Sequence, residues 1–221
     1  MSTLSKICGL STLETLDAAL DAGADYVGFV FVEKSPRHVT PDQAAPLARH
    51  ARGSAGVVAL VSDADDALLE EIMGKVAPDA VQFHGSEGPD TLAAFHARHP
   101  DAEIWKAIPV STPEDLVPLA VFLAHTDRVL FDARPPKGAE RTGGHGKTFD
   151  WSVLRDLDPE LGFMLSGGLT PENVSEAIRL THASAVDVSS GVESAPGVKD
   201  IEKIRAFLKA VRETRREPVS L

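Results

Sequence analysis

The chain has 221 residues, a formal net charge of −11 and a pI near 5.1, an acidic balance that excludes general attraction to nucleic acid or anionic membrane. Its one cysteine excludes an intrachain disulfide and any multi-cysteine zinc site. No basic-then-apolar leader and no apolar run of bilayer length are present, so the expectation is a cytoplasmic protein with small-molecule partners rather than nucleic acid or membrane.

Apolar runs of strand length alternate with stretches of helical period throughout. The first strand spans Leu4 to Cys8, and a helix opens at Ser11-Thr12-Leu13-Glu14, read as a capping box between Ser11 and Glu14. Tyr26 to Phe31 is the second strand, and Thr40-Pro41-Asp42-Gln43 is a second capping box, with proline at the first helical position, where no N–H is needed. Strands follow at Gly56 to Val61, Asp79 to His84, Glu103 to Ile108 and Arg128 to Asp132, separated by helices at Asp65 to Val76, Pro89 to Arg98 and Thr112 to about Ala124. After a long loop come a short helix from Asp150, a strand at Gly162 to Ser166, and a helix from Thr170-Pro171. Ala185 to Ser189 is the last strand, followed by a helix from Lys199 to about Arg212 and a polar, frayed tail from Glu213. Eight strand–helix units predict one domain over residues 1–221, a (β/α)8 TIM barrel, with a doubly wound open sheet as the rival.

A barrel of this kind places its site at the C-terminal ends of the strands. That rule selects Cys8, Lys34, Arg37, Gln82, His84, Lys106, Asp132, Ser166-Gly167-Gly168, Asp187 and Ser189-Ser190-Gly191. The small residues after strands 7 and 8, namely Gly167, Gly168, Ser189, Ser190 and Gly191, allow backbone N–H groups to approach a phosphate. The loop Ala133 to Thr148 carries Arg134, Lys137, Arg141 and Lys147 against Glu140 alone, with glycines at Gly143, Gly144 and Gly146. It reads either as a lid over an anionic substrate or as a solvated loop. A carboxylate at Asp132, ending an apolar strand, has two roles open to it, a proton donor in partly desolvated surroundings or a loop cap. Lys106 offers a Schiff-base amine, His84 a hydrogen-bonding group with no companion at metal-ligand spacing, and Asp187 either a substrate contact or a loop anchor.

Taken in order, several segments resemble the phosphoribosylanthranilate isomerase family of tryptophan biosynthesis. They are Lys6-Ile7-Cys8-Gly9-Leu10, Gly23 to Phe31, Ser35-Pro36-Arg37, Val81-Gln82-Phe83-His84-Gly85, Leu130-Phe131-Asp132, Gly146 to Trp151, Leu165 to Leu169, Val186 to Glu193 and Gly197 to Asp200. The resemblance implies an Amadori rearrangement with Cys8 as general base and Asp132 as general acid. It also implies that Arg37, Gln82, His84 and Asp187 meet the substrate, and that Gly144, Gly146 and the small-residue turns hold its phosphate. No metal or redox cofactor is needed for that chemistry, and the protein is expected to act as a monomer or homodimer. Barrels acting on other phosphorylated aminosugars, of the histidine-pathway type, usually have an aspartate where this chain has Cys8. A non-catalytic phosphate-binding barrel is the remaining alternative.

Overall fold

Parallel strands β1 (Leu4–Cys8), β2 (Tyr26–Val30), β3 (Gly56–Val61), β4 (Ala80–Phe83), β5 (Glu103–Val110), β6 (Arg128–Ala133), β7 (Met164–Leu165) and β8 (Ala185–Val188) pair in sequence order, and β8 returns to β1 to close a barrel. The computed structural model describes residues 2–133, 149–155, 157–158 and 160–214. Helices α1 (Leu13–Asp21), α2 (Pro41–Ala51), α3 (Asp66–Lys75), α4 (Pro89–Arg98), α5 (Leu119–Leu123), α6 (Val174–Thr181) and α7 (Ile201–Glu213) connect the strands. The connection after β6 contains a 3-10 turn, Trp151–Leu154, capped by Asp150. This is the (β/α)8 barrel that the alternation predicts, and its closure excludes the open sheet.

Alternation along the strands divides the core in two. Val58, Ala80, Trp105, Ala107, Leu130, Met164 and Ala185 fill the barrel interior, with Leu4 and Tyr26 beside them. Ile7, Val27, Phe29, Val57, Val81, Phe83, Ile104, Phe131 and Val186 point outward and belong to the larger cluster. At the floor, Tyr26 meets Trp105 edge-on with centroids 4.9 Å apart, and the Arg128 guanidinium lies 5.1 Å from the Trp105 ring. Aspartates just before alternate strands tie the N-terminal rim together. Asp25 accepts from the Ser5 N–H, Asp79 from Val57 and Asp127 from Ile104, at 2.7 to 2.8 Å. With the floor plugged, the cavity for chemistry is left at the opposite end.

Five local details differ from the sequence expectation. Thr12, not Ser11, caps α1, because Thr12 is the extended residue directly before the helix and its side chain accepts from the Thr15 N–H. The segment after β5 is a 3-10 turn, Pro113–Leu116, followed by the short α5, since Pro118 offers no N–H to a continuous helix. α6 begins at Val174 rather than at Thr170-Pro171. Asn173 takes the Thr170 N–H at 2.8 Å and donates to the Gly168 carbonyl at 3.0 Å, closing a turn instead. The antiparallel pair β9 (Glu193–Ala195) and β10 (Val198–Lys199), unforeseen in the sequence, lies between β8 and α7. The last helix continues through Glu213, and Thr214 is buried against it, donating to the Ala210 carbonyl at 2.7 Å.

Candidate active site

Inward-facing positions at the C-terminal end of the barrel bring Lys6 and Cys8 of β1, Gln82 of β4, Asp132 of β6 and Asp187 of β8 into one interior. Lys6 and Cys8 are two residues apart and share a face, and the register sets Lys6 beside Asp187. The Lys6 ammonium, wholly buried, donates to the Asp187 carboxylate at 3.0 Å. Gly28, the β2 partner of Cys8, makes room for both side chains. A Cβ there would lie 3.0 Å from Lys6 Cε and 3.1 Å from Cys8 Sγ.

Charge around the thiol acts in opposing directions. Burial pushes the Cys8 thiol above its ordinary value, the Lys6 ammonium pulls it down, Asp187 pushes it up and Lys199 pulls it down. For Lys6, burial lowers the proton affinity, but the Asp187 carboxylate and the adjacent thiol outweigh it and leave the ammonium above the usual lysine range. Lys6 is thus a fixed cation next to a thiol that needs one to ionise.

On the far wall, Asp132 is buried and makes two hydrogen bonds. The Ala133 N–H reaches Oδ1 at 2.9 Å, and His84 Nε2 stands 3.0 Å from Oδ2. His84 Nδ1 in turn stands 3.2 Å from Nε2 of the fully buried Gln82. The turn after β7 presses on this group. Gly167 has φ +87°, and a Cβ on it would run into the Ala133 N–H and come within 3.0 Å of Asp132 Oδ1. Glycine is required there for both reasons.

Arg37 is held by a residue that the sequence reading passed over. Its Nε and Nη2 donate to the two carboxylate oxygens of Glu193 at 2.6 and 2.8 Å, a two-pronged contact made by buried side chains. Lys199 donates to the same carboxylate at 2.9 Å, to the Ser189 carbonyl at 2.8 Å and to its hydroxyl at 3.2 Å. The Ser189 hydroxyl donates onward to the Cys8 carbonyl at 3.0 Å. Burial raises the proton affinity of Glu193, but Arg37 and Lys199 overcome it and hold the carboxyl below its ordinary range. Burial leaves Lys199 below the usual lysine range despite Glu193. Gly9, with φ +79°, lies under the arginine, and a Cβ there would stand 2.7 Å from Arg37 Cδ. The glycine after the cysteine therefore clears space for Arg37.

The two small-residue turns meet. A Cβ on Gly191 would run into the Leu169 carbonyl, so the turns after β7 and β8 pack backbone to backbone. Gly168, Leu169, Thr170, Glu172, Ser190, Gly191 and Lys203 line a pocket of about 310 Å³ there. Gly168, Ser190 and Gly191 thus line that pocket, whereas Gly167 packs on Asp132 and Ser189 is bonded to Cys8 and Lys199. Lys203, which also donates to the Glu193 carbonyl at 2.7 Å, supplies positive charge at the rim. Arg37, Lys199 and Lys203 outnumber Glu193 and Glu172 here and leave the region locally basic, as an anionic ligand needs in so acidic a chain.

Other candidates fall elsewhere. Lys106 points outward from β5 and donates to Glu87 at 2.8 Å and to the Gly85 carbonyl at 2.7 Å, so it is not available as a Schiff-base amine inside the barrel. Lys34 is exposed. Gly144 and Gly146, with the basic loop around them, lie outside the described residues.

The barrel as a whole is matched in known proteins. The family model of N-(5'-phosphoribosyl)anthranilate isomerase matches residues 5–210. The chain belongs to that family. A relative from Rhodopseudomonas palustris (strain BisA53) with that name is 57% identical over 211 residues, 96% of each chain. The crystal structure of the phosphoribosylanthranilate isomerase from Thermotoga maritima superposes with a TM-score of 0.84 at 33% identity, covering 95% of this chain and 98% of that one. The Thermotoga maritima protein is described as dimeric, and monomers generated from it have also been solved. A further isomerase structure, in complex with reduced 1-(o-carboxyphenylamino)-1-deoxyribulose 5-phosphate, gives a TM-score of 0.81 at 31% identity over 95% of this chain and 98% of that one. Among the described residues, no helix is long and apolar enough to cross a membrane.

Proposed function

We propose that Cys8 and Asp132 are the base and acid with which this chain carries out the Amadori rearrangement of N-(5'-phosphoribosyl)anthranilate, an isomerisation in tryptophan biosynthesis. The product is 1-(2-carboxyphenylamino)-1-deoxyribulose 5-phosphate. The observation that carries the reading is the placement of a thiol beside a buried ammonium on β1 and a doubly hydrogen-bonded carboxyl on β6 at the same open end of the barrel. The Asp132 carboxyl gives its proton to the ribose ring oxygen as the C1–O bond breaks, and the anthranilate nitrogen lone pair forms the C1 iminium. That cation acidifies the hydrogen on C2. The Cys8 thiolate takes it, and the electron pair of the C2–H bond moves to neutralise the iminium as an enolamine. The enolamine passes to the ketone by moving its hydroxyl proton to C1. Return of the Cys8 proton to Asp132 through solvent resets the enzyme.

The phosphate is assigned to the pocket of Gly168, Ser190 and Gly191, with Lys203 at its rim and Gly167 and Ser189 holding the two turns in place. Asp187 acts on Cys8 through Lys6. Arg37, with Nε and Nη2 committed to Glu193, turns its remaining N–H groups toward anionic or hydroxyl groups of the substrate. The partner is a small phosphorylated substrate rather than nucleic acid or membrane, and the protein works in the cytoplasm as a monomer or homodimer. The reaction is followed directly by loss of substrate fluorescence. Absence of turnover of phosphoribosylanthranilate by the intact protein, with turnover of a different phosphorylated aminosugar, would overturn the assignment.

Three variants test the supporting groups. Arg37→Ala is expected to raise KM about tenfold or more, the worth of a charge-assisted hydrogen bond, with kcat little changed. Glu193→Gln, which loosens the arginine without removing it, should raise KM by about a few-fold. A loss confined to kcat in both would contradict the assignment. Lys6→Met removes the ammonium that favours the thiolate. A base works only above its own pKa, so the rising limb of kcat/KM against pH should move to higher pH in Lys6→Met. A limb at the wild-type position would show that Lys6 does not act on Cys8.

A further inference from the structure

The chain Gln82–His84–Asp132 carries one consequence beyond the acid–base pair. A carboxamide nitrogen only donates, so Gln82 Nε2 at 3.2 Å obliges His84 Nδ1 to accept. A neutral imidazole accepting at Nδ1 bears its proton on Nε2, and that N–H points at Asp132 Oδ2, 3.0 Å away. Ala133 donates to the other oxygen at 2.9 Å. Each carboxyl oxygen therefore has one lone pair occupied, and the catalytic proton is confined to the lone pairs left free.

We infer that Gln82 is a positioning residue for the acid: it fixes His84 in the Nε2–H tautomer, and His84 then fixes the carboxyl of Asp132 and the side on which its proton is carried. The inference rests on the reading of Asp132 as the proton donor. It reassigns Gln82 and His84 from substrate contact to alignment of the acid. Three features of the site favour it. Gln82 is wholly buried, and its Oε1 has no hydrogen-bond partner among the described residues, so the contact with His84 is the only side-chain bond it makes there. His84 is held on both ring nitrogens. The outer layer cannot substitute for Gln82, because Lys106 and Glu87 behind β4 and β5 are paired with each other. Among the described residues, the charged and titratable groups around His84 at this end of the barrel include Lys6, Cys8 and Asp187 within and Lys106, Glu87 and Asp63 outside. Among the described residues the side-chain bonds of His84 go to Gln82 and Asp132 alone.

The test is nitrogen-15 NMR of the imidazoles in the full chain, with the His84 signals assigned by their loss in His84→Asn, together with steady-state kinetics. The expected wild-type pattern is a protonated Nε2 and an unprotonated Nδ1. Gln82→Leu should lose that preference and lower kcat about tenfold with KM within about twofold, because a misaligned acid affects the chemical step and not binding. Gln82→Glu, an acceptor only, should draw the proton to Nδ1 and distort the pH profile of kcat. A wild-type His84 protonated at Nδ1 would overturn the inference. So would a Gln82→Leu protein that melts normally and keeps both tautomer and kcat, or one whose only change is a raised KM. Failure of the acid assignment itself shows separately, as full activity in Asp132→Asn.

Discussion

Cys8→Ala should turn over phosphoribosylanthranilate about 10³-fold more slowly than the wild-type chain, while folding to the same barrel. General acid–base groups typically contribute between about 10² and 10⁴ in rate, and among the described residues Cys8 is the group at the mouth of β1 placed to take the C2 hydrogen. The substitution removes a single buried sulfur atom and creates a cavity no larger than that, so the loss of stability should be about 1–2 kcal/mol. The Lys6–Asp187 pair stays intact, because its bond does not pass through the thiol. Cys8→Ser is the sharper variant. It keeps a proton-bearing atom at the same place, but a hydroxyl beside Lys6 remains protonated where a thiol ionises, so it should be nearly as inactive as alanine. KM for both should stay near wild type, since Arg37 and the phosphate turns are untouched. Turnover within a few-fold of wild type in either variant would remove Cys8 as the base.

What the sequence made legible, and what it hid, follows from how far apart the interacting residues lie. The eight-unit alternation and the Thr40–Gln43 capping box are local patterns, and both stand in the structure as read. Pro118 was in plain view, but the apolar period around it suggested a longer helix than its missing N–H allows. Lys106 illustrates a limit of a strand buried on both sides. Trp105 and Lys106 are neighbours in a near-continuous apolar run, and the run itself does not say which faces the interior. The barrel turns Trp105 inward and Lys106 outward to Glu87. Glu193 was hidden for another reason. It meets Arg37 across 156 residues, through a hairpin that has no strong turn signature apart from Pro196-Gly197. Counting local charge pointed to the 133–148 loop as the basic region. That loop lies outside the described residues; the cations described around the β8 turn come from two stretches far apart in sequence, at Arg37 and at Lys199 and Lys203.

Asp132→Asn removes the transferable proton while keeping the shape of the carboxyl, and it should lower kcat by about 10²–10⁴ with substrate still bound. The carboxamide has the shape of the carboxyl and can keep its oxygen on the Ala133 N–H, so the turn at Gly167 need not move, but its NH2 then faces His84 Nε2 and displaces the proton or the ring there. What it lacks is a proton that can leave. Without protonation of the ring oxygen the C1–O bond would have to expel an alkoxide, and the neutral His84 N–H beside it can donate a hydrogen bond but is too weak an acid to give up its proton. The step before the thiol acts is therefore blocked, and Cys8 has no acidified C2 hydrogen to remove. This ordering gives a second observable. If the acid opens the ring and the base follows, an analogue of the ring-opened product should bind Asp132→Asn nearly as well as wild type, while substrate accumulates unconverted. Unchanged turnover would refute the acid role. Tight binding of the open-chain analogue together with lost turnover would show that Asp132 serves the chemistry and not the grip on the substrate.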